Sequence, residues 1–263
     1  MPDDAGAFAR AVAARGLRHF KQIEHLRTTA STNADAMERL GNAASAGLVI
    51  VADEQSEGVG RRGRRWIAPA RSGLLFTAVL PEQLPSSAAW AVPLWTGLAV
   101  AAALERNHGV RATLQWPNDL LVEGRKLCGI LCVSRINGEH AAVACGVGLN
   151  VFRPPDDAPL REIVPAPLFL DDVAALRDGA RPKLLAEILH AFEQDLAALR
   201  NPEGVARRWE ARAGLPGVPY RFAIEGEGEI EGVALRIAPG GALVAQTAGG
   251  ERTIELAEAR VVR

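Results

Sequence analysis

Residues 56–66 carry four arginines and three glycines and lie between two apolar runs, 47–52 and 74–80. Four guanidinium groups so close together cannot enter a core. The segment must therefore be a loop, with its flanking runs as buried strands of a sheet. Its ends are held by those strands, and its middle is free to close over an anion. Arginine presents a planar fork of donors that matches carboxylate and phosphate oxygens and stays charged at any cellular pH. Glycine lets backbone N–H groups approach a ligand. The like charges repel, which predicts a loop that moves when empty and orders around a polyanion. A solvated basic turn is the plain alternative. Trp66, at the end of the segment, either stacks on a base or anchors the loop in the core.

The positive charge is local: Lys and Arg total 30 against 31 for Asp and Glu. That balance argues against a dedicated nucleic-acid binder, which needs a basic field over a whole face. With 263 residues, 48% of them hydrophobic, the chain can bury a large core. No apolar stretch reads as long and charge-free enough to span a bilayer, and Asp3 and Asp4 stand where a signal peptide has lysines. A cytoplasmic protein with no membrane partner is the expectation. Cys128, Cys132 and Cys145 lie in apolar runs without Cys-x-x-Cys spacing and read as core residues of a reducing compartment. The five histidines are scattered, so a catalytic metal held by protein alone is not expected.

Along the chain, 5–15 reads as a short helix, 19–26 as a strand and 34–40 as a second helix. Ser31, Thr32 and Asn33 precede that helix. They are either ordinary caps or a site for a small polar ligand group. A long apolar helix is expected over 88–107, ending near Gly109. Residues 112–151 read as strands broken by turns at Pro117-Asn118, Glu123-Gly124, Asn137-Gly138 and 146–148. A proline-rich surface loop over 152–167 precedes helices at 182–199 and 203–212. After Gly214 the helical period vanishes, and short runs are cut at Gly226, Gly228, Gly240 and Gly249-Gly250. The expected fold class is α+β: a mixed-sheet domain over 1–213, then a small antiparallel barrel over 214–263.

A second polar constellation interrupts apolar sequence at 115–131. Asn118 and Asp119 stand at a turn after Trp116-Pro117, where ordinary turn chemistry would suffice. Lys126 is harder to dismiss, because it carries a charge into the run Leu-Cys-Gly-Ile-Leu-Cys-Val and so answers an anion. Gly129, inside that strand, marks close approach of a ligand or another backbone. Asn150 supplies an amide after the stretch Gly146-Val147-Gly148-Leu149.

Taken in order, these motifs resemble the biotin–protein ligases. The resemblance covers nearly the whole chain and rests on Ser31-Thr32-Asn33, the Gly58 to Trp66 loop, Trp116-Pro117-Asn118-Asp119 with Arg125-Lys126-Leu127-x-Gly129-Ile130-Leu131, and Gly146-Val147-Gly148-Leu149-Asn150. The terminal barrel is similar to the SH3-like domain of that family, through Gly241-Ala242-Leu243. Some members carry an N-terminal winged helix-turn-helix. About thirty residues precede Ser31 here, so a form without repressor function is the expectation.

The resemblance implies an ATP-dependent ligase. Biotin is activated as biotinyl-5′-AMP and transferred to a lysine of a biotin carboxyl carrier domain, that of acetyl-CoA carboxylase or a related carboxylase. Mg²⁺ would arrive with ATP. Carried onto this chain, Arg61, Arg64 and Lys126 become the catalytic cations. Ser31, Thr32, Asn33, Gln55, Gly58, Val59, Gly60, Arg61, Lys126 and Gly129 form the biotin set. Arg61, Arg64, Trp66, Asn118, Asp119, Lys126 and Asn150 form the nucleotide set. A lipoate or octanoate ligase or transferase shares the fold class, and a non-catalytic binding module using the basic loop is the rival of another class. A homodimer is compatible with the sequence, which does not distinguish an exposed sheet edge from a covered one.

Two positions depart from the family pattern: Val59 stands where the loop usually carries an arginine, and Gln115 where a lysine usually precedes the Trp-Pro-Asn-Asp motif. The missing cation implies weaker retention of the acyl-adenylate. A Val59→Arg variant should therefore release the intermediate more slowly than the native chain in a filter or fluorescence chase, and equal rates would count against that role.

Overall fold

The computed structural model describes residues 6–156, 160, 163, 167–224, 227–256 and 259–262. Ala5, the cut at Gly226 and parts of the expected loop 152–167 lie outside the described residues. The chain runs through α1 (Ala7–Ala13), β1 (Gln22–Thr29), α2 (Thr32–Arg39), β2 (Leu48–Gln55), β3 (Gly73–Val79), the short β4 (Leu84–Pro85) and α3 (Val92–His108). Then come β5 (Thr113–Gln115), β6 (Asp119–Val122), β7 (Arg125–Asn137), β8 (His140–Asn150), α4 (Ala180–Asp195) and α5 (Pro202–Ala213). The last strands are β9 (Val218–Ile224), β10 (Gly228–Ile237), β11 (Leu243–Thr247), β12 (Gly250–Ile254) and β13 (Ala259–Val262).

The first sheet has the order β1-β2-β3-β8-β7-β6-β5, with β4 added against β8. Only β1 and β2 pair in parallel; the remaining pairs are antiparallel. This is the mixed sheet that the α+β expectation named. β2 is apolar along most of its length because both its faces are covered. Val49 and Val51 belong to the main core, whereas Leu48 and Ile50 pack with Ala36 of α2 and with Leu40 just after it. On the main-core side, Phe192 of α4 meets Phe20, Phe76 and Trp95.

The helical run Ser86–His108, of which α3 is the larger part, is the one among the described residues long and apolar enough to cross a membrane, but 72% of its most apolar window is buried inside the protein. Its apolar circumference is that of a core helix, packed against the sheet, α4 and α5. It stops at Gly109, whose φ of 70° closes the last turn through bonds to Glu105 O and Leu104 O.

The texture change after Gly214 corresponds to a separate antiparallel sheet of five strands, ordered β12-β11-β10-β9-β13. Sequence reading ended its runs at Leu256 and did not anticipate β13. Trp116 joins the two sheets: its backbone N–H donates to the Tyr220 hydroxyl at 3.1 Å, and its Nε1 to Gly241 O at 3.0 Å. The turn motif that contains it is thus also the seam against the C-terminal strands.

One expectation is overturned. Residues 146–148 are not a turn but the middle of β8, paired with β3 on one side and β7 on the other. Val147 and Leu149 enter the core, and the glycines occupy the opposite face.

A buried charge network missed by sequence reading fixes the end of β2. Arg181 of α4, 2% exposed, donates to Asp53 Oδ1 at 2.9 Å, to Gly73 O at 2.8 Å and to Ala52 O at 3.3 Å. His25 and Arg71 also reach the Asp53 carboxylate. Burial pushes the Asp53 pKa upward, but the bonds and charges of Arg181 and His25 outweigh it and hold the group below its ordinary value. Its contribution to stability is therefore fully present above the usual carboxylate pKa of about 3.9 and is lost as pH falls through the lowered value. Removing Arg181 leaves that carboxylate undercompensated, so Arg181→Met should cost about 3 kcal/mol in denaturant unfolding at neutral pH. In Asp53→Asn the stability lost on acidification should be smaller than in the native chain.

Candidate active site

The arginine segment folds as a small hairpin beyond the end of β2. Val59 bridges Arg65 in antiparallel fashion, Trp66 N donates to Gly58 O at 2.8 Å, and Gly60 N to Arg64 O at 2.6 Å. A single tight turn, Arg61–Gly63, reverses the chain, with Arg62 at φ 57° and Gly63 at φ 70°. Gly58 lets the two arms cross closely, since a Cβ there would stand 2.6 Å from Trp66 O.

Beneath the hairpin lies a cavity of about 390 Å³. Ser31, Thr32, Asn33, Gln55, Val59, Gly60, Arg61, Arg64, Trp66, Asn118, Asp119, Lys126, Gly129 and Asn150 all line it, although they come from segments up to 119 positions apart. Gly58 is the exception among the expected residues and stands behind the wall. Arg61, Arg64 and Lys126 thus line one cavity despite their separation along the chain.

The floor is a patch of sheet without side chains. Gly129 of β7 pairs with Gly148 of β8. A Cβ on Gly148 would meet the Trp66 indole at 2.6 Å, and one on Gly129 would meet it at 2.8 Å. The indole thus lies flat on two facing glycines, with Lys126 Nζ 5.2 Å from its centroid. Its Nε1 is buried without a hydrogen-bond partner. Gly129 does mark a close approach, but of the side chains of Trp66 and Lys126 rather than of a ligand or another backbone.

A β-bulge explains how a lysine enters an apolar strand without entering the core. Leu121 pairs with Lys126 but Leu120 pairs with Cys128, so β7 carries one extra residue. Leu127 and Cys128 are both fully buried, and Lys126 is turned to the cavity face. There its Nζ meets Asp119 Oδ1 at 2.7 Å. Asn118 serves the same turn: its Nδ2 donates to Ile130 O at 2.6 Å. Asn150 donates to Lys126 O at 3.2 Å and Leu168 O at 3.1 Å, tying the lysine backbone to the segment before α4.

Arg61 reaches the C-terminal part of the chain, donating from Nη2 to Leu256 O at 2.6 Å. Burial lowers its pKa, Arg62 and Arg64 push the same way, and Asp119 opposes them. At this depth a guanidinium keeps its proton because its unperturbed pKa is so high.

At the opposite end, α2 begins against the sheet. Gln55 Oε1 accepts from Thr32 N at 2.8 Å and from Thr32 Oγ1 at 3.0 Å. Asn33 Nδ2 donates to Leu131 O at 2.9 Å, and Thr77 Oγ1 lies 2.8 Å from both Asn33 Oδ1 and Thr32 Oγ1. Thr77 and Leu256 escaped sequence reading, as did the role of Gly146 beneath Asn33. The regular alternation of apolar residue and glycine over 145–149 was the available signal.

The cysteines sit where core residues belong. Cys132 and Cys145 are free thiols that face each other across β7 and β8; the hydrogen bond to Cys145 and burial push the Cys132 thiol well above its usual pKa. Among the described residues, no three His, Cys, Asp or Glu side chains gather as a metal cluster.

Residues 26–150 match the Biotin/lipoate A/B protein ligase family. Over 249 residues the chain is 32% identical to the biotin–[acetyl-CoA-carboxylase] ligase of Mycobacterium tuberculosis, covering 92% of this chain and 89% of the relative. It is 33% identical to the ligase of the same name from Paracoccus denitrificans, covering 89% and 98% of the two chains. The fold matches the biotin protein ligase of Aquifex aeolicus with a TM-score of 0.71 at 22% identity, over 93% of this chain and 99% of that one. A second structure of the Aquifex enzyme, in complex with biotin and ATP, matches with a TM-score of 0.69 at 24% identity. With identity sustained along nearly the full length of both curated relatives, the chain belongs to the biotin–protein ligase family.

Proposed function

We propose that this enzyme joins biotin to ATP as biotinyl-5′-AMP, releasing pyrophosphate, and then passes the biotinyl group to a lysine of a biotin carboxyl carrier domain. The observation that carries the reading is the meeting of Arg61, Arg64 and Lys126 in one cavity with the α2 end and the Trp66 floor. Biotin takes the α2 end, among Ser31, Thr32, Asn33, Gln55, Val59, Gly60 and Gly129. The nucleotide takes the end bounded by Arg64, Trp66, Asn118, Asp119 and Asn150. Lys126 and Arg61 stand between the two.

The first step brings a carboxylate oxygen of biotin to the α-phosphorus of ATP. A C–O–P bond forms, the bond from the α-phosphorus to the bridging oxygen breaks, and pyrophosphate leaves with the electron pair. Two unit negative charges about 4 Å apart repel by roughly 4 kcal/mol at an effective dielectric of about 20. Fixed cations offset that repulsion and stabilise charge developing on the phosphoryl oxygens. Lys126 is held for this by Asp119 and by the turned backbone of the bulge. In the second step the acceptor amine attacks the acyl carbon, AMP departs, and the amide nitrogen loses a proton. The hairpin over the cavity would shield the anhydride from water between the steps.

Mg²⁺ fits this site as an ion brought by ATP. Asp119 is the lone carboxylate among the described residues lining the cavity, and Lys126 already engages it. Such a donor set suits a metal held mainly by phosphate oxygens and water. In the same reading residues 1–213 form the catalytic domain, and 214–263 correspond to the family's SH3-like domain.

Biotin-dependent release of pyrophosphate from ATP tests the proposal, and its absence from the folded protein would overturn it. Lys126→Ala should slow that release by about 10²-fold or more, while normal release would remove the lysine from its role. Gly148→Ala inserts a methyl where the indole lies. It should displace Trp66 and weaken ATP binding, read as a higher KM for ATP and a change in tryptophan emission.

A further inference from the structure

We infer that Thr77, which does not line the cavity, is a positioning residue that seats Asn33 on the sheet and, through Thr32, aims the side-chain amide of Gln55 into the biotin end of the cavity. The inference rests on the ligase reading above and deepens its account of the biotin end.

Thr77, Gly146 and Leu131 form one row across β3, β8 and β7, since Gly146 is the register partner of both others. Asn33 lies across this row like a bar. Its Oδ1 takes the Thr77 hydroxyl, its Nδ2 takes Leu131 O, and its amide crosses the middle strand where a Cβ on Gly146 would come within 2.2 Å of Oδ1. Both ends of the amide are therefore engaged by the sheet. Thr77 is fully buried, and it adds a hydroxyl to an otherwise apolar strand. A buried hydroxyl persists where it has partners, and here the partners all belong to the first residues of α2.

Thr32 connects Thr77 to Gln55. Thr32 directs both its N–H and its hydroxyl to Gln55 Oε1. Two hydroxyl protons serve three oxygen–oxygen contacts, so Thr77 shares its proton between Thr32 and Asn33. With Oε1 committed to the helix end, Gln55 has its Nε2 left as a donor on the cavity side. A ureido carbonyl is an acceptor of the right class for that donor. The preorganised amide binds it without first having to be ordered.

The nucleotide end stands on the hairpin and the β5–β6 turn, so loss of the Thr77 hydroxyl should act selectively. In Thr77→Val the Asn33 Oδ1 and the Thr32 hydroxyl both lose the Thr77 contact, and the Thr32 side chain that holds Gln55 Oε1 loses its support from the sheet. Biotin Kd by calorimetry and KM for biotin should both rise about tenfold, with KM for ATP and kcat within about twofold of the native enzyme. Thr77→Ser, which restores the hydroxyl, should bring biotin affinity back. If Thr77→Val does not fold, Thr77→Ala removes the same hydroxyl and should show the same selective loss. Unchanged biotin affinity in the folded variant would overturn the inference, as would equal losses for biotin and ATP that track a fall in Tm. A native protein that binds no biotin at all would instead overturn the ligase reading, and this inference with it.

Discussion

The site depends on a place where the sheet has no side chains. Gly129, Gly146 and Gly148 lie together on the face of β7 and β8 that looks toward α2 and the hairpin. Over one part of this bare patch lies the Trp66 indole, and over the other the Asn33 amide. Two segments far apart in the chain, the arginine hairpin and the start of α2, can therefore both reach the backbone of the central strands. A methyl at Gly146 or Gly148 would stand 2.2 Å or 2.6 Å from them, closer than nonbonded atoms approach. The opposite face of the same strands is Cys145, Val147 and Leu149, which fill the core. One run of sequence thus builds the core on one side and leaves a bed for the site on the other.

The cations need a different device. A lysine at its position in a regular β7 would share a face with Cys128 and point into apolar packing, where an ammonium group would lose its charge or destabilise the fold. The extra residue at Leu127 removes that conflict by turning Lys126 to the cavity. Asp119 Oδ1 then forms an ion pair with its ammonium at 2.7 Å. Arg61 is fixed from the far side through Leu256 O, just beyond β12, so the C-terminal part of the chain contributes to the geometry of the hairpin. Trp116 anchors the C-terminal sheet against the turn carrying Asn118 and Asp119. The two sheets and the site are mechanically joined at that turn.

Much of this was legible from residue order. The apolar runs around the arginines gave β2 and β3, the all-round apolar pattern gave α3, and the break at Gly214 gave the second sheet. The misreading at 146–148 came from treating clustered glycines as punctuation, when their spacing of two is the period of a strand. Thr77 was invisible because one threonine in an apolar strand is ordinary, and its partners are more than forty positions away. The Asp53–Arg181 pair was hidden for the same reason: Arg181 opens a helix whose pattern gives no hint that its guanidinium crosses to β2 and β3. Local pattern reports burial and period. Which distant polar groups share a buried bond depends on packing, and a single sequence does not encode that in any short window.

The hydrogen-bonding inventory of the cavity also argues for its ligand class. Two of its amide acceptors are engaged, Gln55 Oε1 by Thr32 and Asn33 Oδ1 by Thr77, and its lone carboxylate among the described residues, Asp119, faces Lys126. Its lining adds the buried Trp66 Nε1 without a partner, the Gln55 side-chain amide and the guanidinium groups of the hairpin. A cavity with this excess of cations favours a ligand that is mostly acceptor and negatively charged. A ureido carbonyl, a carboxylate and a triphosphate meet that description together. A neutral acyl chain lacking the ureido group would leave the Gln55 donor unpaired in a desolvated pocket, which costs more than the apolar contact it keeps. On this ground the fold's lipoyl-type chemistry is the poorer match to the α2 end, independent of any likeness between sequences.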